Sequence, residues 1–163
     1  MRIAIMSDSH DNLWNMRKAL KLIQERNADL ILHCGDFVAP FMLREMEQAG
    51  IPVHGVFGNN DGDRYLLTKL SFTELSHITL HGMAGELDLA GYRIAFAHER
   101  LKADGLVFSG KYDLVCFGHT HTWLQEKIGE TLLLNPGEIM GKDGDPGFCF
   151  AEIPSGTVER ISI

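Results

Sequence analysis

The sequence predicts an α/β fold: a two-sheet β-sandwich with the sheets face to face and helices on the outside, in four layers. Three observations predict it. Between Arg2 and Phe57 short apolar runs alternate with a helical pattern, and from about Ile78 short strand patterns follow one another between turn residues. No linker or internal repeat divides the 163 residues, a length suited to one domain spanning 1–163.

Arg2 to Ser7 reads as the first strand. Leu13, Met16, Leu20 and Ile23 then recur at helical spacing, and Leu30 to Cys34 reads as strand again, which completes a βαβ unit. Asp11 and Asn12 are candidate caps for that helix, Pro40 suits the first turn of a second helix through Met46, and Gly50 can end it. Val53 to Phe57 is the third strand, and right-handed crossovers make the three strands parallel neighbours. Further strands are expected at Ile78–Leu80, Glu86–Leu89, Tyr92–Ala97, Leu114–Phe117, Leu124–Ile128, Thr131–Asn135, Phe148–Ile153 and Thr157–Ile161, with one helix near Lys102 to Phe108.

Fifteen Lys and Arg against 22 Asp and Glu give a formal charge of -7, which argues against sequence-independent nucleic-acid binding. A small anion is still admissible, because bound divalent cations dominate a site's local potential. No apolar stretch approaches the length that spans a bilayer and no export signal precedes Arg2, so a soluble, cytoplasmic protein is expected. Cys34, Cys116 and Cys149 sit singly in strand-like runs and read as reduced core thiols.

Five polar clusters follow the apolar strands: Asp8-Ser9-His10, Gly35-Asp36, Gly58-Asn59-Asn60-Asp61, His98, and Gly118-His119-Thr120-His121. In open α/β sheets ligand sites gather at the C-terminal ends of strands. Singly, each cluster is also a turn, a cap or a hydrogen-bonded structural residue, and His119 and His121 also read as alternate residues of a strand with one shared face. Jointly, two carboxylates, one amide oxygen and four imidazoles exceed the needs of one tetrahedral ion and suit two cations that share a carboxylate.

The order Asp-x-His, Gly-Asp, Gly-Asn, His, Gly-His-x-His between Asp8 and His121, closed by Asn135-Pro136-Gly137, resembles the calcineurin-like metallophosphoesterase superfamily and its small YfcE-like phosphodiesterase branch. The resemblance implies two divalent metal ions, one held by Asp8, His10 and His121, the other by Asn59, His98 and His119, with Asp36 bridging. Manganese is the leading occupant, with zinc, iron, nickel and magnesium as alternatives. It further implies a phosphodiesterase acting on a small phosphate ester, with a hydroxide shared by the two metals attacking phosphorus in line.

Three positions depart from the family pattern. Asn60 replaces a His that assists the leaving group in larger relatives, Arg100 stands in His98-Glu99-Arg100 where His-Gly-His is common, and Glu138 replaces a small hydroxyl residue. Asn59, Asn60 and Arg100 are therefore the candidate substrate contacts. Arg100 equally suits a surface pair with a carboxylate, and Asp61 suits a structural acceptor. His33, His54, His77 and His81 fall outside the motif. Phosphomonoesterase, nucleotide pyrophosphatase and a retromer-subunit-like binding scaffold are the competing functions, and Trp14, Phe41 and Trp123 are candidate apolar contacts for a homo-oligomer.

Overall fold

The computed structural model describes residues 1–163. The chain runs β1 (Arg2–Met6), α1 (Leu13–Glu25), β2 (Leu30–His33), α2 (Pro40–Glu47), β3 (Val53–Gly55), α3 (Arg64–Thr73) and β4 (Ile78–Leu80). It continues through β5 (Ala84–Leu89), β6 (Tyr92–Ala97), α4 (Arg100–Phe108), β7 (Leu114–Cys116), β8 (Trp123–Ile128), β9 (Thr131–Pro136), β10 (Gly147–Glu152) and β11 (Thr157–Ser162).

Two sheets result, ordered β11-β10-β1-β2-β3-β4 and β5-β6-β7-β9-β8. β1 to β4 are parallel, with Ile3 opposite Leu30, Ile31 opposite Val53, and Val53 opposite Ile78. Alternation along each strand decides which layer it feeds. Ile3, Ile5, Leu30 and Leu32 face the second sheet and pack with Ile94, Phe96, Leu114, Cys116 and Leu134. Ala4, Met6, Ile31 and Val53 face outward against Met16, Leu20, Ile23, Met42, Leu67 and Leu70 of α1, α2 and α3. On the far side, Ala95, Val115 and Leu133 meet Ala103 and Val107 of α4. Because both faces of β1 and β2 are covered, Ile3–Met6 and Leu30–Leu32 are continuously apolar.

Local chemistry sets the helix starts. The Asn12 side chain accepts from Asn15 N and caps α1, Pro40 occupies the first turn of α2, and Asp63 accepts from Leu66 N to cap α3. α3 is absent from the sequence reading. Only Leu67 and Leu70 of it are buried, while Tyr65, Leu66 and Phe72 are exposed, so its apolar residues do not form one stripe at helical spacing.

The change of pattern at Ile78 does not mark the boundary between sheets. β4 extends the first sheet beyond β3, and β10 and β11 return to it on the other side of β1, where β10 runs antiparallel. The three cysteines are free and buried, as expected of core thiols. No helix is long and apolar enough to cross a membrane. Phe96 is fully buried between the sheets, so Phe96→Ala is expected to cost about 3–5 kcal/mol of stability, read as a lower urea midpoint with an unchanged denaturant slope.

Candidate metal centre

β1, β2, β3, β6 and β7 end on one side of the sandwich, and the loops that follow them carry all five polar clusters. The structure brings together all seven candidate ligands. Asp8 Oδ1 lies 3.8 Å from His10 Nε2 and 3.4 Å from His121 Nε2. Asn59 Oδ1 lies 3.0 Å from His98 Nε2 and 2.9 Å from His119 Nδ1, and these two nitrogens are 3.3 Å apart. Asp36 Oδ2 sits between the groups, 3.5 Å from His10 Nε2 and 3.3 Å from His98 Nε2.

His119 and His121 do not share a strand face. Both adopt left-handed backbone, at φ 67° and 58°, in a turn that sends one imidazole to His98 and the other to His10. Asp8, His10 and Asp36 are left-handed as well, at φ 53°, 39° and 58°. Non-glycine residues rarely occupy this region, and its occurrence at five of the seven positions marks a site held in place by its surroundings.

Several clamps hold it. Asp61 accepts from the backbone N–H groups of Asp36, Val38 and Gly58, which makes it the structural acceptor. Asn135 donates to Gly118 O and Thr120 Oγ1 and so fixes the turn that bears both histidines. A methyl group at Gly58 would overlap the Asp36 carboxylate, and one at Gly118 would overlap Ser7 and Asp8, so only glycine permits these approaches. Asn60 is bound to Asp36 through both its backbone N and its side-chain amide, at 2.8 and 2.7 Å.

Charge is tightly compensated. Burial opposes ionisation of Asp36, but hydrogen bonds from His98 and Asn60 carry its carboxyl well below the usual range. Contact with Asp8 raises the His10 pKa. Burial lowers that of His98, yet the Asp36 and Asp8 carboxylates outweigh it and the net shift is upward. His98 Nδ1 lies 2.9 Å from Cys34 O, where it can donate, and Nε2 faces Asn59 and Asp36. Asp8 Oδ1 and His10 Nε2 are buried without hydrogen-bond partners. A divalent cation satisfies such a pair, and the mixed N and O donor set suits two borderline divalent ions.

Arg100 opens α4, where its Nε donates to Asp104 at 2.7 Å and its guanidinium lies over Phe117. It is therefore paired with a carboxylate, the alternative left open by the sequence. Arg64, not singled out in the sequence, donates to Gly58 O beside Asn59. Glu138 is buried with one oxygen 3.0 Å from His121 Nδ1, although the sequence suggests only a change at the substrate rim.

A family description, the calcineurin-like phosphoesterase superfamily domain, matches residues 1–156. The chain belongs to the calcineurin-like phosphoesterase superfamily. Within it, the chain is 37% identical over 142 residues to Phosphodiesterase MJ0936 of Methanocaldococcus jannaschii, a match covering 86% of each protein. It is 34% identical to the probable metallophosphoesterase YsnB of Bacillus subtilis, over 85% of this chain and 75% of that one. Among solved structures, an archaeal phosphodiesterase superposes with a TM-score of 0.92 at 30% identity, covering all of both chains. Vps29 of Chaetomium thermophilum shares the calcineurin-like fold with a TM-score of 0.74 at 16% identity, over 99% of this chain and 97% of that one.

Outside the donor set, His33 is fully buried beneath Ser9, accepting from Gly35 N at Nδ1 and facing Ser9 Oγ with Nε2. Burial holds its pKa at about 4, below the ordinary 6.5. Unfolded His33 takes up its proton from about pH 6.5 downward and the folded residue only near 4, so its contribution is full above 6.5 and falls between these values. His33→Gln is expected to remove a pH-dependent loss on the order of 1–3 kcal/mol across that window. Urea unfolding of both proteins over a pH series measures it.

Proposed function

We propose that the chain is a metal-dependent phosphodiesterase with two divalent cations, manganese foremost and zinc, iron, nickel or magnesium as alternatives. The observation that carries this reading is the convergence of seven donors into two groups with Asp36 between them, where Asp8 Oδ1 and His10 Nε2 lack other partners. Asp8, His10 and His121 would hold one ion, Asn59, His98 and His119 the other, and Asp36 both. When bound, the ions supply Lewis-acid polarisation of the phosphoryl group and ionised water at neutral pH.

The chain's own residues orient this chemistry. Asn60 holds both Asp36 oxygens, so its amide positions the carboxylate and has no proton to lend a departing alkoxide. Asn59 and Asn60 form the rim a phosphate ester would meet, and Arg100 would join it only by leaving Asp104. The likeness to a protein named phosphodiesterase favours a diester substrate over a monoester or an anhydride. Vps29 shares the fold, but the full donor set of this chain favours catalysis over a scaffold role. Buried free thiols favour a cytoplasmic setting, and exposed Trp14 and Phe41 offer a self-association surface. Trp123 is less available, because it packs against the intersheet core.

With added manganese, a bis-aryl phosphate should be hydrolysed faster than its mono-aryl counterpart. Chelation should abolish turnover, and His119→Ala should lower it by about 100-fold or more. Faster monoester hydrolysis would reassign the substrate class, and full activity after chelation would sink the metal-dependent reading. Because Asn60 is no acid, rates across a series of aryl diesters should fall steeply as the leaving alcohol grows more basic. A flat dependence would show that another group protonates it.

A further inference from the structure

The Glu138 carboxylate is 1% exposed, and its two oxygens do different things. Oε1 accepts from the backbone N–H groups of Asp143 and Gly144, at 2.6 and 2.8 Å. Oε2 lies 3.0 Å from His121 Nδ1, yet neither atom has a well-aligned hydrogen-bond partner. The other nitrogen of the same ring, Nε2, faces Asp8 Oδ1 at 3.4 Å. The Glu138 backbone is pinned on both sides, since its carbonyl accepts from Gly147 N and the following Ile139 N donates to Ser7 O.

An orphaned carboxylate oxygen and an orphaned imidazole nitrogen at this separation complement each other after a small ring rotation. Leaving both unpaired in a buried setting costs more than the rotation does. Asp143 Oδ2 is also near, at 3.1 Å from His121 Nδ1, but its side chain is 56% exposed and weakened by solvent. With Nδ1 donating to Glu138 Oε2, the Nε2 lone pair of the ring is the one left to face Asp8.

We propose that Glu138 is a positioning residue. It takes the Nδ1 proton of His121 into a hydrogen bond, fixes the tautomer and aims Nε2 at the position shared with Asp8 and His10. Through its second oxygen it ties the 141–146 loop to that position. This rests on the reading that Asp8, His10 and His121 hold one cation. It assigns a function to the residue that stands where a small hydroxyl side chain, too short to span the same gap, is common.

Glu138→Gln tests it with little change in volume. If the amide oxygen keeps Asp143 N and Gly144 N, the NH2 group faces Nδ1 and demands the opposite tautomer. Nitrogen-correlated imidazole spectra at alkaline pH should show His121 as Nδ1–H in the metal-free wild type and as Nε2–H in the variant. In manganese titrations the wild type should bind two ions. Glu138→Gln should weaken by about 10–100-fold the ion that His10→Ala removes and leave the other unchanged, while Asp143→Asn should match the wild type.

Wild-type affinity for both ions in Glu138→Gln overturns the proposal while the two-metal reading stands. A wild type that binds no ion overturns both. A third ion lost on Asp143→Asn would make Glu138 and Asp143 ligands of a separate site and equally overturn it. If Glu138→Gln does not fold, an Nε2–H tautomer in the wild type is sufficient to reject the proposal, and Nδ1–H supports it.

Discussion

Two carboxylates, Asp8 and Asp36, are almost wholly removed from solvent at the ends of neighbouring parallel strands. Buried charge of one sign is costly unless it is hydrogen-bonded or paired, and much of the local architecture answers that cost. Asp8 accepts from His119 N, Asp36 from Asn60, and imidazoles from three different loops surround both. Bringing these donors inward requires left-handed backbone at non-glycine residues, at roughly 1–2 kcal/mol each. The sandwich supplies the rigidity that keeps such conformations populated, since each strained residue directly follows, or is clamped to, a strand buried on both faces.

Function and strain are thus arranged on top of an ordinary core. The apolar clusters between and outside the sheets contain none of the seven donors. Asp61, Asn135 and His33 occupy the level between, each spending its polar atoms on backbone groups or on a neighbouring side chain of the site loops. Burial lifts the Asp61 pKa despite three backbone donors, a cost offset by the order it imposes on two adjacent loops.

Most of the strands and all seven of the residues that the structure brings together were legible because they follow from local pattern. Apolar runs such as Ile3 to Met6 and Leu30 to His33 show the strands, and the polar residues that interrupt them fall where α/β sheets build sites. α3 was not legible, because Tyr65, Leu66 and Phe72 are exposed and blur its apolar stripe. Nor was the sheet membership of β4 and β10, which depends on which edge a strand reaches. Arg100 could be read as a phosphate contact or as a surface pair, and only the placement of Asp104 one helical turn away decides its partner in the structure. Glu138 lies 17 residues beyond His121, across the β8–β9 hairpin, and no spacing rule connects a buried carboxylate to the far side of an imidazole.

The loop from Glu138 to Met140 hydrogen-bonds back to the first site loop, Ile139 N to Ser7 O and Met140 N to Asp8 O, and β10 then zips along β1. Asp8 and His10 therefore meet His121 and Glu138 only across most of the chain's length. Closing such distant contacts is slow compared with forming the local βαβ units. During synthesis the early units can collapse around their own helices while the Asp8 loop still lacks its partners. The donors around Asp8 are therefore complete only once His121 has been made, and the Glu138 contact with that histidine comes later still.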